Sequence, residues 1–153
     1  MQFLELKIPP PIVALLVAGA MWKGSLVLPA STAPGTFHAL AALLLALAGG
    51  VVALSGIISF RRAKTTVNPM RPEKTVSLVT GGVYKFTRNP MYLGLLLVLI
   101  ALAVYLSSVW LLVGPVIFVL YMNRFQIAPE ERALLLMFGE SYTTYHSRVR
   151  RWL

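Results

Sequence analysis

The sequence predicts an all-α fold: an integral membrane helical bundle of four transmembrane helices, the third and fourth a helical hairpin, followed by short cytoplasmic C-terminal helices. Three observations predict it. The 153 residues are 58% hydrophobic and only 12% charged, with mean hydropathy +0.75, whereas soluble domains are nearer about 45–50% apolar and about 25% charged. The charges are segregated: neither 24–60 nor 89–123 contains a Lys, Arg, Asp or Glu. The basic residues are segregated too, all but Lys7 and Lys23 falling within 61–88 or 124–153.

A membrane-spanning helix needs about 20 apolar residues at about 1.5 Å each. Span 1 is predicted at about 9–30. Pro9, Pro10 and Pro11 sit in its first turn, where a missing N–H costs little. Span 2 is predicted at about 37–60, after the breakers Pro29, Pro34 and Gly35. The apolar stretch 89–123 would measure about 50 Å as one helix, against about 30 Å of hydrocarbon. It is therefore divided into span 3, about 90–106, and span 4, about 109–125, with a tight turn at Ser107–Ser108.

In the tail, Pro129 marks a helix start, with Glu130 and Glu131 in its first turn. Leu134, Leu135 and Phe138 make an apolar face, and Gly139 is a stop. A second short helix from Ser141 places Tyr142, Tyr145 and Val149 on one side, and Arg148, Arg150, Arg151 and Trp152 suit the headgroup region. The whole is one membrane domain, 1–153, with two N-terminal spans in 1–60 and a functional core in 61–153. The positive-inside rule puts both termini and the 61–88 block in the cytoplasm of a multi-pass membrane protein, of the bacterial inner or cell membrane type. No cleavable signal peptide is expected.

Composition also narrows function. The net charge is +9, and on so apolar a chain this points to a membrane surface, not nucleic acid. With no Cys and two His, no metal site is expected. The segment richest in chemistry runs from Gly81 to Gly94. Asn89 stands at an N-cap position before Pro90, where free backbone N–H groups favour anionic ligands. Tyr84 and Tyr92 add aromatic faces and hydroxyls, and Arg88 a carboxylate fork. Pro129-Glu130-Glu131-Arg132 offers carboxylates. On spacing alone, these segments fit a capped helix with interfacial anchors and a negative first turn better than a ligand site.

Order and context add a resemblance. Leu78-Val79-Thr80-Gly81-Gly82-Val83-Tyr84, Arg88-Asn89-Pro90-Met91-Tyr92-Leu93-Gly94, Glu130-Glu131, Phe138-Gly139-Glu140, Tyr142, Tyr145 and Val149-Arg150-Arg151-Trp152 together resemble the isoprenylcysteine carboxyl methyltransferase family. Its wider group includes phospholipid N-methyltransferases. The resemblance covers about residues 61–153. It implies an integral membrane methyltransferase that uses S-adenosyl-L-methionine, releases S-adenosyl-L-homocysteine, and acts on a lipophilic small molecule or lipid by carboxylate O-methylation or amine N-methylation. By that likeness Val76, Ser77, Leu78, Val79, Tyr84, Arg88, Asn89, Pro90, Tyr92, Glu130 and Glu131 line the cofactor pocket. Two positions depart from the family. Many members have His at Asn89, and the eukaryotic prenylcysteine enzymes have a substrate-facing Arg where this chain has Gln126. Arg124 replaces that Arg only in part, so Gln126 and Arg124 are the expected substrate-facing pair. The bilayer and the lipophilic substrate are the expected partners, with no nucleic acid and no metal. Competing readings are a membrane reductase of sterol-reductase type and a non-enzymatic scaffold that binds anionic lipid.

Overall fold

The computed structural model describes residues 5–31, 35–63 and 77–153, and every regular element among them is helical. Five α-helices follow in order: α1 (Pro10–Ser25), α2 (Thr36–Arg62), α3 (Pro90–Tyr105), α4 (Val113–Tyr121) and α5 (Ala128–Arg148). A short 3-10 turn, Gly82–Lys85, leads into α3, and another, Val109–Leu112, leads into α4. A π-turn, Met122–Ile127, joins α4 to α5.

Two helical runs are long and apolar enough to cross a membrane, Thr36–Arg62 and Val109–Arg148, and α3 is a shorter apolar helix. Much of the outer surface is large and aliphatic, including Leu15, Leu16, Leu44, Leu47, Val51, Leu54, Val116, Ile117 and Leu120. In water each such side chain would forfeit burial worth about 25 cal/mol per Å², and contiguous exposed apolar surface of this extent belongs to lipid. The chain is a helical membrane protein.

α2 and α3 make the most extensive pairing in the fold. Small residues make it possible. A Cβ on Gly94 would lie 2.5 Å from the Gly49 carbonyl oxygen and 2.7 Å from Ala53 Cβ, and a Cβ on Gly49 would lie 2.7 Å from the Gly94 carbonyl. Backbones approach this closely only where side chains are absent. The remaining core gathers Val13, Met21, Leu99, Leu111, Phe118, Met122 and Ile127 from α1, α3 and α4 and the turns beside α4.

Two expectations are corrected. Span 1, predicted at about 9–30, is helical only over Pro10–Ser25, about 24 Å. The chain then leaves the helix so that Ser31 can bond the hairpin turn: Ser31 N donates to the Ser107 carbonyl (2.7 Å), and Val109 N to Ser31 Oγ (2.9 Å). Second, Pro129 stands in the first turn of α5 with Glu130 and Glu131, as expected, but that helix is not separated from span 4. Span 4 runs through the π-turn into α5 without a break in helical backbone angles at 127 or 128. Proline has no N–H for the carbonyl four residues earlier, and its ring crowds that carbonyl. Widening to a π-turn accommodates it. The predicted break at Gly139 is present, where φ is 51° within α5, a conformation that glycine adopts without steric cost. The turn at Ser107–Ser108 is also where the sequence placed it.

Candidate active site

At the end of α3 where Pro90 begins the helix, α5 and the residues after it fold over the first turn. Proline at this position has no N–H to leave unpaired, and Tyr92, two residues on, is buried. From the other side, the π-turn and the first turn of α5 present Gln126 and Glu130. Tyr92 Oη donates to Glu130 Oε1 at 2.5 Å, and Gln126 Nε2 donates to the same oxygen at 2.6 Å. Neither bond consumes Oε2. Among the described residues no salt bridge reaches Glu130, which lies beyond the apolar stretch of its helix and is half-buried. Burial pushes its carboxyl up to about 7, against the downward pull of the two hydrogen bonds; neighbouring Glu131 adds to the rise.

Glu131 is treated differently. Arg151 grips it with Nε at 3.1 Å and Nη2 at 2.5 Å, and Arg88 Nη2 lies 3.1 Å away. This forked pairing closes the tail over the start of α3. The backbone reinforces it: Arg88 N donates to the Arg150 carbonyl (3.0 Å), and Asn89 Nδ2 to the Arg151 carbonyl (2.9 Å). Trp152 Nε1 donates to Asn123 Oδ1 (3.1 Å), and Tyr145 Oη to the Tyr84 carbonyl (2.8 Å). Tyr84 is buried with its ring edge-on to Phe60, 5.3 Å between centroids. Burial holds the Tyr84 and Tyr145 hydroxyls well above their ordinary range and brings Tyr142 to about 12.

This pairing of an α3 tyrosine with an α5 glutamate at the end of an apolar bundle can be set beside known proteins. Residues 37–141 match the phospholipid methyltransferase family. The chain belongs to that family. It is also 31% identical over 110 residues to protein-S-isoprenylcysteine O-methyltransferase B of Arabidopsis thaliana, covering 70% of this chain and 54% of the plant enzyme. The chain thus spans about half the length of that relative. An uncharacterized protein of Haemophilus influenzae is 48% identical over 63 residues, which is 41% of this chain and the whole of that protein. No solved structure matches.

In this phospholipid methyltransferase family member, the residues singled out from the sequence divide into three groups. Tyr92, Glu130 and Gln126 meet directly. Arg88, Asn89, Glu131 and Pro90 form the surrounding frame, and Asn89 does so unexpectedly. It occupies the N-cap position of α3, yet its side chain makes no cap bond and holds the tail carbonyl instead. Thr87 Oγ1 accepts the Asn89 backbone N–H (3.2 Å) and donates to the Arg151 carbonyl (3.3 Å). The remaining residues lie apart. Arg124 is half-exposed and paired with Glu5 at 2.8 Å, not turned toward Tyr92 and Glu130. Ser77, Leu78 and Val79 are half-buried, and Ser77 Oγ donates to the Ala63 carbonyl at the end of α2 (3.2 Å). Val76 lies outside the described residues. Gly82, in the Gly81-Gly82 pair, takes φ 61° to enter its 3-10 turn. His38 lines a cavity of about 190 Å³ with Ser31, Ser107 and Ser108, at the hairpin-turn end.

Sequence reasoning missed Thr87, Asn123 and the inward roles of Arg151 and Trp152, which were assigned to the headgroup region. Arg148 and Arg150 are exposed, but Arg151 and Trp152 are half-buried in the frame. One signal was available. Asn123 is the last uncharged polar residue before Arg124, and an amide at the end of an apolar helix that is drawn even partly inward needs a donor or acceptor from elsewhere.

Proposed function

We propose that this protein is an S-adenosyl-L-methionine-dependent methyltransferase that methylates a lipophilic small molecule or lipid at the cytoplasmic face of the membrane. In this reading α1, α2, α3 and the α4 run are its four spans, and the 61–88 block and both termini are cytoplasmic. The observation that carries the reading is Glu130, a half-buried carboxylate bound by neutral donors and by no arginine among the described residues. A buried acid without a cationic neighbour is suited to a cationic ligand. The cofactor is such a ligand, since it carries an ammonium and a sulfonium, so the residues fit it.

When bound, the cofactor supplies a methyl group already activated on sulfur. Glu130 neutralises its positive charge, and Tyr92 and Gln126 fix the carboxylate's orientation. Arg88, Arg151 and Glu131 latch the tail over the start of α3, where it would shield the bound cofactor from water and so strengthen its attraction to Glu130. The protein's main contribution is then orientation of donor and acceptor. A lipophilic acceptor approaches from the bilayer side, and an amine acceptor must arrive deprotonated because it attacks through its lone pair. Incubating detergent-solubilised protein with methyl-labelled cofactor and a membrane-lipid extract should yield a labelled lipophilic product. The reading is abandoned if no label is incorporated and the cofactor does not bind.

A pH dependence follows. With the Glu130 carboxyl at about 7, protonation below that value removes the charge that holds a cation. Cofactor affinity is therefore expected to be constant above about pH 8 and to fall by up to about tenfold per unit below pH 7. In Glu130→Gln the affinity should be low and flat with pH. A wild-type profile equally flat from pH 5 to 8 would remove Glu130 from the cation's neighbourhood.

A further inference from the structure

We propose that Glu5 is a positioning residue for this site, acting by fixing from outside the π-turn that presents Gln126 and Glu130. The inference rests on the methyl-transfer reading above and adds a residue far from the site's own helices in sequence.

The argument begins at Pro129. Its missing N–H leaves the Phe125 carbonyl without the donor that the residue four positions on would supply. The structure supplies one from another segment: Leu6 N donates to the Phe125 carbonyl at 3.0 Å. Leu6 takes φ 57°, a conformation uncommon outside glycine and retained only where its surroundings enforce it. Beside it, the Glu5 carboxylate bridges two arginines, Arg124 Nη1 at 2.8 Å and Arg132 Nη2 at 2.5 Å, with only 13% of the Glu5 side chain exposed. Those arginines lie on either side of Gln126 and Glu130 in the chain. One carboxylate thus ties the π-turn at Arg124 to the second turn of α5 at Arg132, and a backbone bond holds Phe125 between them.

The segment has a firm support. Residues 5–6 are followed closely by Pro9 and Pro10, and α1 then packs on α3 and α4. Proline restricts the backbone between the two, so the segment links the α1–α3 frame to the π-turn. π-turns are rare, occur mostly as single turns inside α-helices, and are frequent at functional positions. Here the tolerance is small, because Glu130 must meet Gln126 and Tyr92 at 2.6 and 2.5 Å together.

The test uses full-length protein in detergent, with S-adenosyl-L-homocysteine as the titrated probe. Dissociation constant and binding stoichiometry are measured for wild type, Glu5→Gln, Arg132→Gln and the double variant. Amide hydrogen exchange over 122–130 is followed without probe. Each single variant is expected to weaken binding about tenfold at unchanged stoichiometry and to speed exchange at 122–130. The double variant should be little worse than either single one, because both act through one bridge. A merely structural role would lower stoichiometry and leave the affinity of the folded fraction intact, and that result overturns the proposal. So does wild-type affinity in the single variants. If Glu5→Gln does not fold, Arg132→Gln decides alone, since it keeps the Glu5–Arg124 bond. If wild type itself binds no probe, the methyl-transfer reading fails first, a result distinct from equal affinities in wild type and variants.

Discussion

Glu130→Ala is expected to weaken S-adenosyl-L-methionine binding by about a hundredfold or more, with Tyr92→Phe costing about tenfold. The first value follows from removing a carboxylate that, among the described residues, no arginine neutralises, an interaction class worth about 3 kcal/mol when half-buried. The substitution also leaves the Gln126 amide and the Tyr92 hydroxyl without the oxygen they share. Tyr92→Phe keeps the ring and removes one hydrogen bond to an ionised group, worth about 1.5 kcal/mol. Glu131→Gln serves as a contrast, because Glu131 is held by Arg88 and Arg151. It should loosen the tail and affect binding less than Glu130→Ala. Titration calorimetry on detergent-solubilised variants with matched thermal unfolding gives the comparison. Equal affinity in wild type, Glu130→Ala and Tyr92→Phe would place the cofactor elsewhere.

Gly94→Leu is expected to prevent α2 and α3 from pairing, giving protein that does not fold or that melts far below wild type. Even the first added carbon has no room, since it would meet the Gly49 carbonyl at 2.5 Å and Ala53 Cβ at 2.7 Å. Neither is the yielding end of a flexible side chain. The helices must move apart, and overpacking of this kind costs about 1–3 kcal/mol or more. Activity should suffer beyond stability, because Tyr92 lies two residues before Gly94 on the same helix. Gly50→Ala is the control. It follows Gly49 on α2, but nothing lies within 4 Å of its added Cβ. It should be neutral or stabilising by about 0.5–1 kcal/mol through helix propensity. Similar melting temperatures for Gly94→Leu and Gly50→Ala would mean that the two helices do not pack through these glycines.

Much of the bundle was legible because lipid imposes a simple rule. Backbone polar groups must be satisfied within the segment, so apolar runs become helices and charges mark their ends. Thr36–Arg62 and Pro90–Tyr105 consequently fall close to their expected bounds. The hairpin turn at Ser107–Ser108 followed from length, and the break at Gly139 from residue type. The end of α1 was not legible, because it depends on Ser31 reaching Ser107, a contact between segments. The continuity of α4 into α5 was hidden for a similar reason. Proline after an apolar run signals a helix start just as well as a widened helix, and Leu6 supplies the missing donor from the other end of the chain.

The same division holds for the site. The residue types and their order, from Tyr84 through Asn89 and Tyr92 to Glu130, pointed to the family and to the functional groups on hand, because those are properties of the residues themselves. Only the tertiary structure decided which of them act together. Glu130 and Glu131 are adjacent in sequence and look equivalent there. The helix turns them to different neighbours, Tyr92 and Gln126 for one, Arg88 and Arg151 for the other. Composition cannot separate two identical carboxylates. Their surroundings do, because the free energy of a charge is set by the dipoles and charges within a few ångströms of it.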